Sequence, residues 1–321
     1  MPSNLFKPLA VGKVELQNRL VMAPLTRFRA DDKHVPHPYV AEYYAQRACV
    51  PGTLIITEAT FIAPQAGGYG NAPGIWSKEQ IAGWKRVTSA VHEKKSFIYL
   101  QLWALGRAAA PSVLTAELGE GAKVVSSSDI AFEGGAKPTA LTEEEIKEYI
   151  GLYAQAAKNA VEAGFDGVEV HGANGYLIDQ FTQDTCNNRT DAWGGSIEKR
   201  ARFAIEVTKA VIAAVGAERT GIRLSPYSSF QGMRMENPQP QFTYLAGELK
   251  KLNLAYLHVV ESRINGNADT DSVDKVDFLI DLWNNQSPVF IAGGFKAETA
   301  KKAVDEVRQF PLCLSPTPHR Y

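Results

Sequence analysis

The sequence predicts an α/β fold, a (β/α)8 barrel of the TIM type, and three observations lead to it. Short apolar, β-branched runs alternate with longer segments of helical period. Several of these runs are apolar on both sides of the pleat, as parallel strands covered by helices should be. The alternative, a doubly wound sheet, needs a glycine-rich phosphate loop after the first strand, whereas the sequence reads APLTRFRADD (23–32) at that place.

Eight runs are candidates for the barrel strands. They are RLVMAPLT (19–26), GTLIITEAT (52–60), SFIYLQLW (96–103), FDGVEVHGA (165–173), TGIRLSPY (220–227), LAYLHVVES (254–262), SPVFIAGGF (287–295) and FPLCLS (310–315). The last run is short and contains Pro311, and Pro316 and Pro318 come after it. Because proline cannot donate to a ladder or continue a helix, we expect only a stub of an eighth strand, with no helix after it.

The intervening helices have recognisable ends. Their starts are marked by Ser77 with Gln80, by Thr142 with Glu145, and by Ser196. The first two pairs are capping boxes, in which the two side chains satisfy free backbone N–H groups reciprocally. Gly164 and Gly216 follow the second and third helices and are typical of helix ends.

Composition indicates one globular unit. The chain has 321 residues, and we interpret 1–321 as a single barrel domain. The segment of about 104–140 is too long for a plain loop, and we expect it to cover the barrel mouth. The formal net charge is −1 and no long run of like charge occurs, which argues against a nucleic-acid partner or a polybasic membrane anchor.

Cysteine usage and the N-terminal sequence point to a reducing compartment. The three cysteines, Cys49, Cys186 and Cys313, are odd in number and far apart, so neither a disulfide framework nor a zinc site is expected. The first twenty residues lack the apolar core of a signal peptide, and no stretch approaches the ~20 apolar residues of a membrane span. We therefore expect a cytoplasmic protein, monomeric or homodimeric.

In a barrel of this type, functional side chains lie at the carboxyl ends of the strands. The polar or flexible residues at these positions include Thr26, Gln101, His171, Asn174, Tyr176, Arg223, Gly293 and Gly294. No His and carboxylate spacing resembles a catalytic metal site, and no Ser or Cys lies in a nucleophile elbow. Hydrogen-bond donors, aromatic rings and an arginine on a strand suit a planar, anionic cofactor.

Several segments resemble the old yellow enzyme family of FMN-dependent ene-reductases. The most specific are HGANGYLIDQF (171–181) and NRTDAWGGSIEKRARF (188–203), and APLTR, QLW and IRLSP occur in the matching order. The resemblance covers about residues 4 to 300 and favours the fungal branch that includes chanoclavine-I aldehyde reductases. It implies an FMN-binding (β/α)8 barrel, which agrees with the fold predicted from the strand pattern.

The resemblance also implies roles for individual residues. Thr26 would donate to the flavin C4 carbonyl, Gln101 would contact the pyrimidine edge, and Arg223 would lie near flavin N1 and O2. Pro24, Leu25 and Ala59 would line the ring. His171 and Asn174 would hold the carbonyl oxygen of an enone or enal, and Tyr176 would be the proton donor. NADPH would be the reductant.

One departure from the family pattern concerns the end of the barrel. The family continues with an eighth strand that carries a Phe-Gly-Arg motif, whose arginine binds the FMN phosphate. Here the sequence reads VRQFPLCLSPTPHRY (307–321) instead. We therefore expect a truncated last βα unit, in which backbone donors near Gly293 and Gly294 bind the phosphate without that arginine.

Two alternative functions remain open from the sequence. The same scaffold can act as a flavin-dependent isomerase that returns the hydride to its substrate. A barrel that lacks stable flavin could instead serve as a binding or inactive protein. Flavin content separates the last alternative from the first two, and nicotinamide consumption with an enone separates the reductase from the isomerase.

Overall fold

This computed structural model describes residues 3–262, 264–265, 268–269, 274–306 and 312–314. Within them the strands are β1 (Leu9–Val11), β2 (Val14–Leu16), β3 (Leu20–Met22), β4 (Leu54–Phe61), β5 (Phe97–Trp103), β6 (Val125–Ser126), β7 (Thr139–Ala140), β8 (Gly167–Gly172), β9 (Thr220–Leu224), β10 (Tyr256–Val260), β11 (Ile264–Asn265), β12 (Ala268–Asp269), β13 (Val289–Ala292) and β14 (Leu312–Leu314). The α-helices are α1 (Tyr39–Arg47), α2 (Lys78–Glu93), α3 (Pro111–Leu118), α4 (Glu143–Glu162), α5 (Leu177–Thr182), α6 (Ile197–Val215), α7 (Pro238–Lys250), α8 (Asp277–Trp283) and α9 (Ala297–Glu306).

A closed parallel barrel forms the centre of the described structure. Its strands follow the order β3, β4, β5, β8, β9, β10, β13, β14, and all eight predicted runs supply one strand each. The eighth strand is three residues long and pairs with β13 on one side and with β3 on the other, so it closes the barrel. The predicted loss of a helix after this strand falls on residues 315–321, which lie outside the described part of the chain.

The helix ends agree with the sequence prediction. Ser77 and Thr142 each form a complete capping box at the starts of α2 and α4, and Ser196 accepts a hydrogen bond from the Lys199 N–H at the start of α6. Gly216 ends α6 with a φ of +97°. Buried apolar faces, such as Trp84 and neighbouring valines on α2, pack these helices against the barrel.

Large aromatic side chains fill the barrel interior near the amino-terminal ends of the strands. Tyr99, Tyr256 and Phe290 are fully buried, and the rings of Tyr256 and Phe290 stack with centroids 4.1 Å apart. Gly167 and Gly221 lie against Tyr99 and Tyr256, where a Cβ atom would collide with the rings. The two glycines therefore make room for the aromatic filling, which closes this end of the barrel interior.

A hairpin that was not predicted from the sequence covers the amino-terminal end. β1 and β2 pair antiparallel, and Gly12 forms their turn with a φ of +53°. A Cβ atom on Gly12 would collide with the backbone of Glu218 and the Cβ of Ala255, which precede β9 and β10. The hairpin therefore packs under the amino-terminal ends of the strands, and the predicted site residues lie at the opposite end of the barrel.

The predicted excursion contains short elements of its own. A 3-10 helix at Gly106–Ala108, α3 and the β6–β7 pair lie between residues 104 and 140. No helix among the described residues has the length and hydropathy needed to cross a membrane.

Candidate active site

The first three strands bring several predicted residues to one end of the barrel. Pro24, Leu25 and Thr26 follow β3 directly and are half-buried. Ala59, near the end of β4, is buried and pairs in register with Gln101 on β5. These residues therefore lie on neighbouring strand ends, as the sequence predicts.

A buried carboxylate, absent from the predicted site, lies next to Gln101. Glu169 on β8 accepts a hydrogen bond from Gln101 Nε2 at 2.7 Å through its Oε1. Its Oε2 accepts from the Tyr256 hydroxyl at 3.0 Å and contacts His258 Nδ1 at 2.8 Å. Glu169 and His258 are both completely buried. In the sequence, Glu169 is visible only as an acidic residue in the middle of an apolar run, which does not identify its partners.

Arg223 lies at the centre of the predicted site. It pairs in register with His171 on β8 and with His258 on β10. Burial and the positive charge of Arg223 hold the pKa of His171 well below its usual range. The imidazole is therefore neutral at neutral pH, and its Nδ1 has no hydrogen-bond partner among the described residues.

The turn after β8 is fixed by hydrogen bonds on several sides. Asn174 has a φ of +58°, its N–H donates to Ser225 Oγ at 2.7 Å, and its carbonyl accepts from Gln231 Nε2 at 3.2 Å. The next residue, Gly175, has a φ of +74° and donates its N–H to Asp179 Oδ2 at 2.9 Å. These bonds fix the backbone that carries Asn174 and Tyr176.

Aromatic rings form one wall of the site. Tyr176 lies edge-on to Trp103 and to His171, with centroid distances of 4.9 Å and 5.0 Å. Tyr69 contacts Trp103 at 5.8 Å, and the exposed Phe28 contacts Tyr69 at 6.2 Å. The wall thus runs from the buried imidazole to the solvent-facing rim.

The Tyr176 hydroxyl is a protonated group in this setting. Burial is the main cause that raises its pKa, and the nearby Tyr69 adds to the effect. Gln231 and Arg223 act in the opposite direction but do not cancel it. A neutral phenol can donate a proton to a strongly basic carbon, although its ordinary pKa is ~10.

A buried arginine that was not among the predicted site residues joins two loops. Arg107 donates to the carbonyls of Ile130 and Gln231, at 3.0 Å and 2.9 Å, and contacts Met233 Sδ at 3.3 Å. Gln231 has a φ of +57°, and its side chain bonds to the turn after β8. Arg107 therefore ties the 104–140 segment to the loop after β9, in which the Gln231 side chain bonds to the Asn174 carbonyl.

Gly293 and Gly294 follow β13 and have positive φ angles of +144° and +61°. A Cβ on Gly293 would lie 2.7 Å from the Glu261 Cβ, so this position requires glycine. Both glycines come directly after a barrel strand, at the same end of the barrel as the other predicted residues. Their predicted role at a phosphate group stays a prediction.

The chemistry of the site fits a planar anionic cofactor. Gln101 and Arg223 offer an amide and a guanidinium, and the His171 ring with its unpartnered Nδ1 lies at the same end of the barrel. Thr26 follows β3, which β4 separates from the strand of Gln101. In the described part of the chain, no group of three or more His, Cys, Asp or Glu side chains could hold a metal ion. The site therefore consists of hydrogen-bond donors, a fixed positive charge and aromatic carbon.

A sequence profile of the NADH:flavin oxidoreductase / NADH oxidase family matches residues 4–310. The chain belongs to this family. It is a nicotinamide-dependent flavin oxidoreductase of the old yellow enzyme type, as the resemblance of its motifs predicted. The Old Yellow Enzyme from Pichia sp. AKU4542 has the same fold, with a TM-score of 0.88 and 41% identity, over 98% of this chain and 83% of that chain.

The fungal relatives of this flavin oxidoreductase are not all named as active enzymes. The chanoclavine-I aldehyde reductase fgaOx3 of Penicillium roqueforti (strain FM164) is 62% identical over 304 residues, which are 94% of this chain and 82% of the relative. A protein of Epichloe festucae var. lolii named probable inactive reductase easA is 53% identical over 311 residues, 95% of this chain and 81% of the relative. Membership of the family alone therefore does not decide the reaction.

Proposed function

We propose that this protein is an FMN-dependent, NADPH-fed ene-reductase that reduces the C=C bond of an α,β-unsaturated aldehyde or ketone. The observation that carries the proposal is the pairing of a neutral His171 imidazole with the protonated Tyr176 phenol, whose ring centroids lie 5.0 Å apart. The two groups lie at the carboxyl-terminal end of a barrel that contains Arg223 and Gln101.

His171 and Asn174 would bind the substrate's carbonyl oxygen. Negative charge grows on this oxygen when a hydride adds to the conjugated β-carbon, so N–H donors directed at it stabilise the transition state, by about 3 kcal/mol for one such donor. A neutral imidazole still offers one N–H, and the amide of Asn174 offers two. The Asn174 N–H donates to Ser225 Oγ and the Asn174 carbonyl accepts from Gln231 Nε2, and these two bonds fix the backbone beneath that amide.

Tyr176 would deliver the proton to the α-carbon. The enolate formed by hydride addition is more basic than a phenolate, so the high pKa of a buried tyrosine does not prevent the transfer. The ring lies against Trp103 and His171, which limits how far the hydroxyl can move.

Thr26, Gln101 and Arg223 would hold the flavin, with Pro24, Leu25 and Ala59 along the ring and Gly293 and Gly294 near the phosphate. When bound, FMN supplies the hydride chemistry. The Arg223 guanidinium is permanently charged, so it favours a bound group that carries negative charge. The choice of NADPH over NADH, like the cytoplasmic location and the monomeric or dimeric state, stays a prediction from the sequence.

A flavin titration followed by a turnover assay tests the proposal. Titration of the apoprotein with FMN should quench the flavin fluorescence to saturation. With O2 excluded, so that the enal or enone is the only oxidant of the reduced flavin, the complex should then consume NADPH catalytically only when an enal or enone is added. Product formed from the enone without net NADPH consumption would indicate an isomerase. Failure to bind FMN would instead support the alternative of a binding or inactive protein. A relative that is 53% identical is named probable inactive reductase.

A further inference from the structure

Glu169 is a buried carboxylate with three polar neighbours and no predicted role. It lies on β8, two residues before His171, and the alternation of a strand places both side chains on the same face. Its oxygens contact Gln101, Tyr256 and His258, at 2.7, 3.0 and 2.8 Å. Its side chain is completely buried, and a buried carboxylate is costly unless it is paired and hydrogen-bonded.

The surroundings keep this carboxylate ionised. Burial opposes the charge, but His258, Arg223 and Gln101 together outweigh burial and lower the pKa of Glu169 below its ordinary value. Burial also lowers the pKa of His258, so this imidazole is neutral at neutral pH and acts as an N–H donor to the carboxylate. An ionised carboxylate has acceptors only. Every polar neighbour of Glu169 must therefore turn a donor toward it.

This requirement fixes the orientation of Gln101. A free glutamine amide can be rotated by half a turn, which exchanges its oxygen and its NH2 group. Because Glu169 can only accept, the Gln101 Nε2 must face it at 2.7 Å. The Gln101 Oε1 then points away from the carboxylate and is the atom that can accept a hydrogen bond from a ligand.

The same carboxylate also reduces the positive potential around Arg223. Glu169 lies on the strand next to that of Arg223, two residues before its register partner His171, so the guanidinium stabilises the Glu169 charge and the attraction is mutual. Arg223 otherwise has the imidazoles of His171 and His258 as its in-register neighbours on β8 and β10. Glu169 is thus the negative charge beside the arginine proposed to face the flavin.

We propose that Glu169 is a positioning residue for the flavin, which presents the Gln101 carbonyl oxygen to the pyrimidine N–H and balances the charge of Arg223. The inference rests on the proposed function, because it requires that FMN binds at this end of the barrel. Its two parts have separate readouts. Orientation of Gln101 affects the affinity for oxidised FMN, whereas the charge affects the difference in affinity between oxidised and reduced FMN.

The effect of the Glu169 charge on the flavin is tested with the Glu169→Gln variant of the FMN-reconstituted protein. Loss of one buried negative charge should strengthen binding of the anionic reduced flavin relative to oxidised flavin by about tenfold, which raises the midpoint potential of a two-electron couple by about 30 mV. Tyr256→Phe is the matched control, since it removes a donor to the same carboxylate but keeps the charge and the bond to Gln101. The control should keep the wild-type potential.

The orientation is tested with Glu169→Asp, which keeps the charge but shortens the side chain by one methylene. Oxidised FMN should bind about tenfold more weakly, while the potential stays near that of the wild type. In a Gln101→Leu background, Glu169→Asp should have no further effect on FMN affinity, because the residue acts through Gln101. Circular dichroism of each variant checks that it is folded.

Two results would overturn the inference. One is an unchanged potential in folded Glu169→Gln, and the other is a full effect of Glu169→Asp in the Gln101→Leu background. If Glu169→Gln does not fold, the double-mutant cycle with Gln101→Leu decides. A wild-type protein that binds no FMN would contradict the proposed function and this inference together. Normal FMN binding and turnover in the wild type, with wild-type potential in Glu169→Gln and wild-type FMN affinity in Glu169→Asp, would contradict the inference alone.

Discussion

His171 on β8 and Arg223 on β9 occupy directly opposite positions in the parallel register, and both are buried. A permanent positive charge beside a buried imidazole opposes protonation of that imidazole. Arg223, which we propose favours negative charge on the flavin, thus also keeps His171, the proposed substrate-binding residue, neutral.

We expect His171 to remain neutral from pH 6.5, its ordinary pKa, to about pH 8, since burial and Arg223 both lower its pKa. The affinity for a phenolic ligand should therefore be constant over this range, provided that the phenol itself does not ionise. NMR titration of the imidazole resonances checks the charge directly. His92 is the internal control, because its hydrogen bond to Asp166 raises its pKa and it should titrate. A His171 resonance that titrates together with His92 would contradict the prediction.

Removal of both proposed oxygen-binding side chains should abolish enone reduction without loss of flavin. His171→Ala with Asn174→Ala removes two donors, each worth about 10²–10³ in rate. Phenol affinity, measured by flavin spectral change, should fall with the activity. The matched control is His92→Ala with Asn188→Ala, which replaces the same residue types at exposed positions. Undiminished phenol binding in the site variant would show that these side chains do not hold the ligand.

Replacement of Tyr176 by Phe should separate the two half-reactions. Reduction of the flavin by NADPH needs no proton from the phenol and should keep its rate, whereas alkene reduction should slow by about 10²–10⁴. Stopped-flow absorbance of the flavin measures both rates. Tyr69→Phe removes a neighbouring hydroxyl that has no proposed role and should leave both rates near wild type. An equal loss in both half-reactions of Tyr176→Phe would rule out the proton-donor role.

Local patterns in the sequence were sufficient to predict the fold. The eight strands, the capping boxes at Ser77 and Thr142, and the glycine end at Gly216 each depend on residues within a few positions of one another. Alternation and helical period report these features directly. The β1–β2 hairpin was missed although Gly12 and Lys13 separate two short runs of β type, so this turn was an unrecognised local signal.

The network around Glu169 could not be predicted in the same way. Glu169, Gln101 and His258 come from three strands that are far apart in sequence, and their contacts depend on the barrel register. A single sequence shows that Glu169 interrupts an apolar run but not which donors surround it. Arg107 was missed for the same reason, since its partner Gln231 is 124 residues away along the chain.

Two buried carboxyl groups should make the protein less stable as the pH rises. Burial is the main cause that raises the pKa of Glu58 from 4.5 to about 7, although the Arg27 N–H and the Tyr44 hydroxyl bond to its carboxylate. The folded state thus keeps a proton that the unfolded chain has already released. For Glu58, stability is greatest below pH 4.5 and is lost as the pH approaches 7, by up to about 3 kcal/mol.

Asp179 also makes the protein less stable as the pH rises. Its pKa is raised from 3.8 to about 7, mainly by burial and against the bonds from Gln183 and Gly175, so its contribution to stability is lost between those values. The neutral His171 acts in the opposite direction, because burial lowers its pKa. Urea unfolding of the flavin-free protein between about pH 5 and 8 should therefore show a more negative slope of stability against pH in the wild type than in Glu58→Gln or Asp179→Asn, and the double variant should combine both differences. The exposed Glu133→Gln is the control and should retain the wild-type slope. Slopes in both single variants that equal the wild-type slope would mean that the two carboxyl groups are ionised in the folded protein, and that the hydrogen bonds from the Arg27 and Gly175 N–H groups outweigh burial.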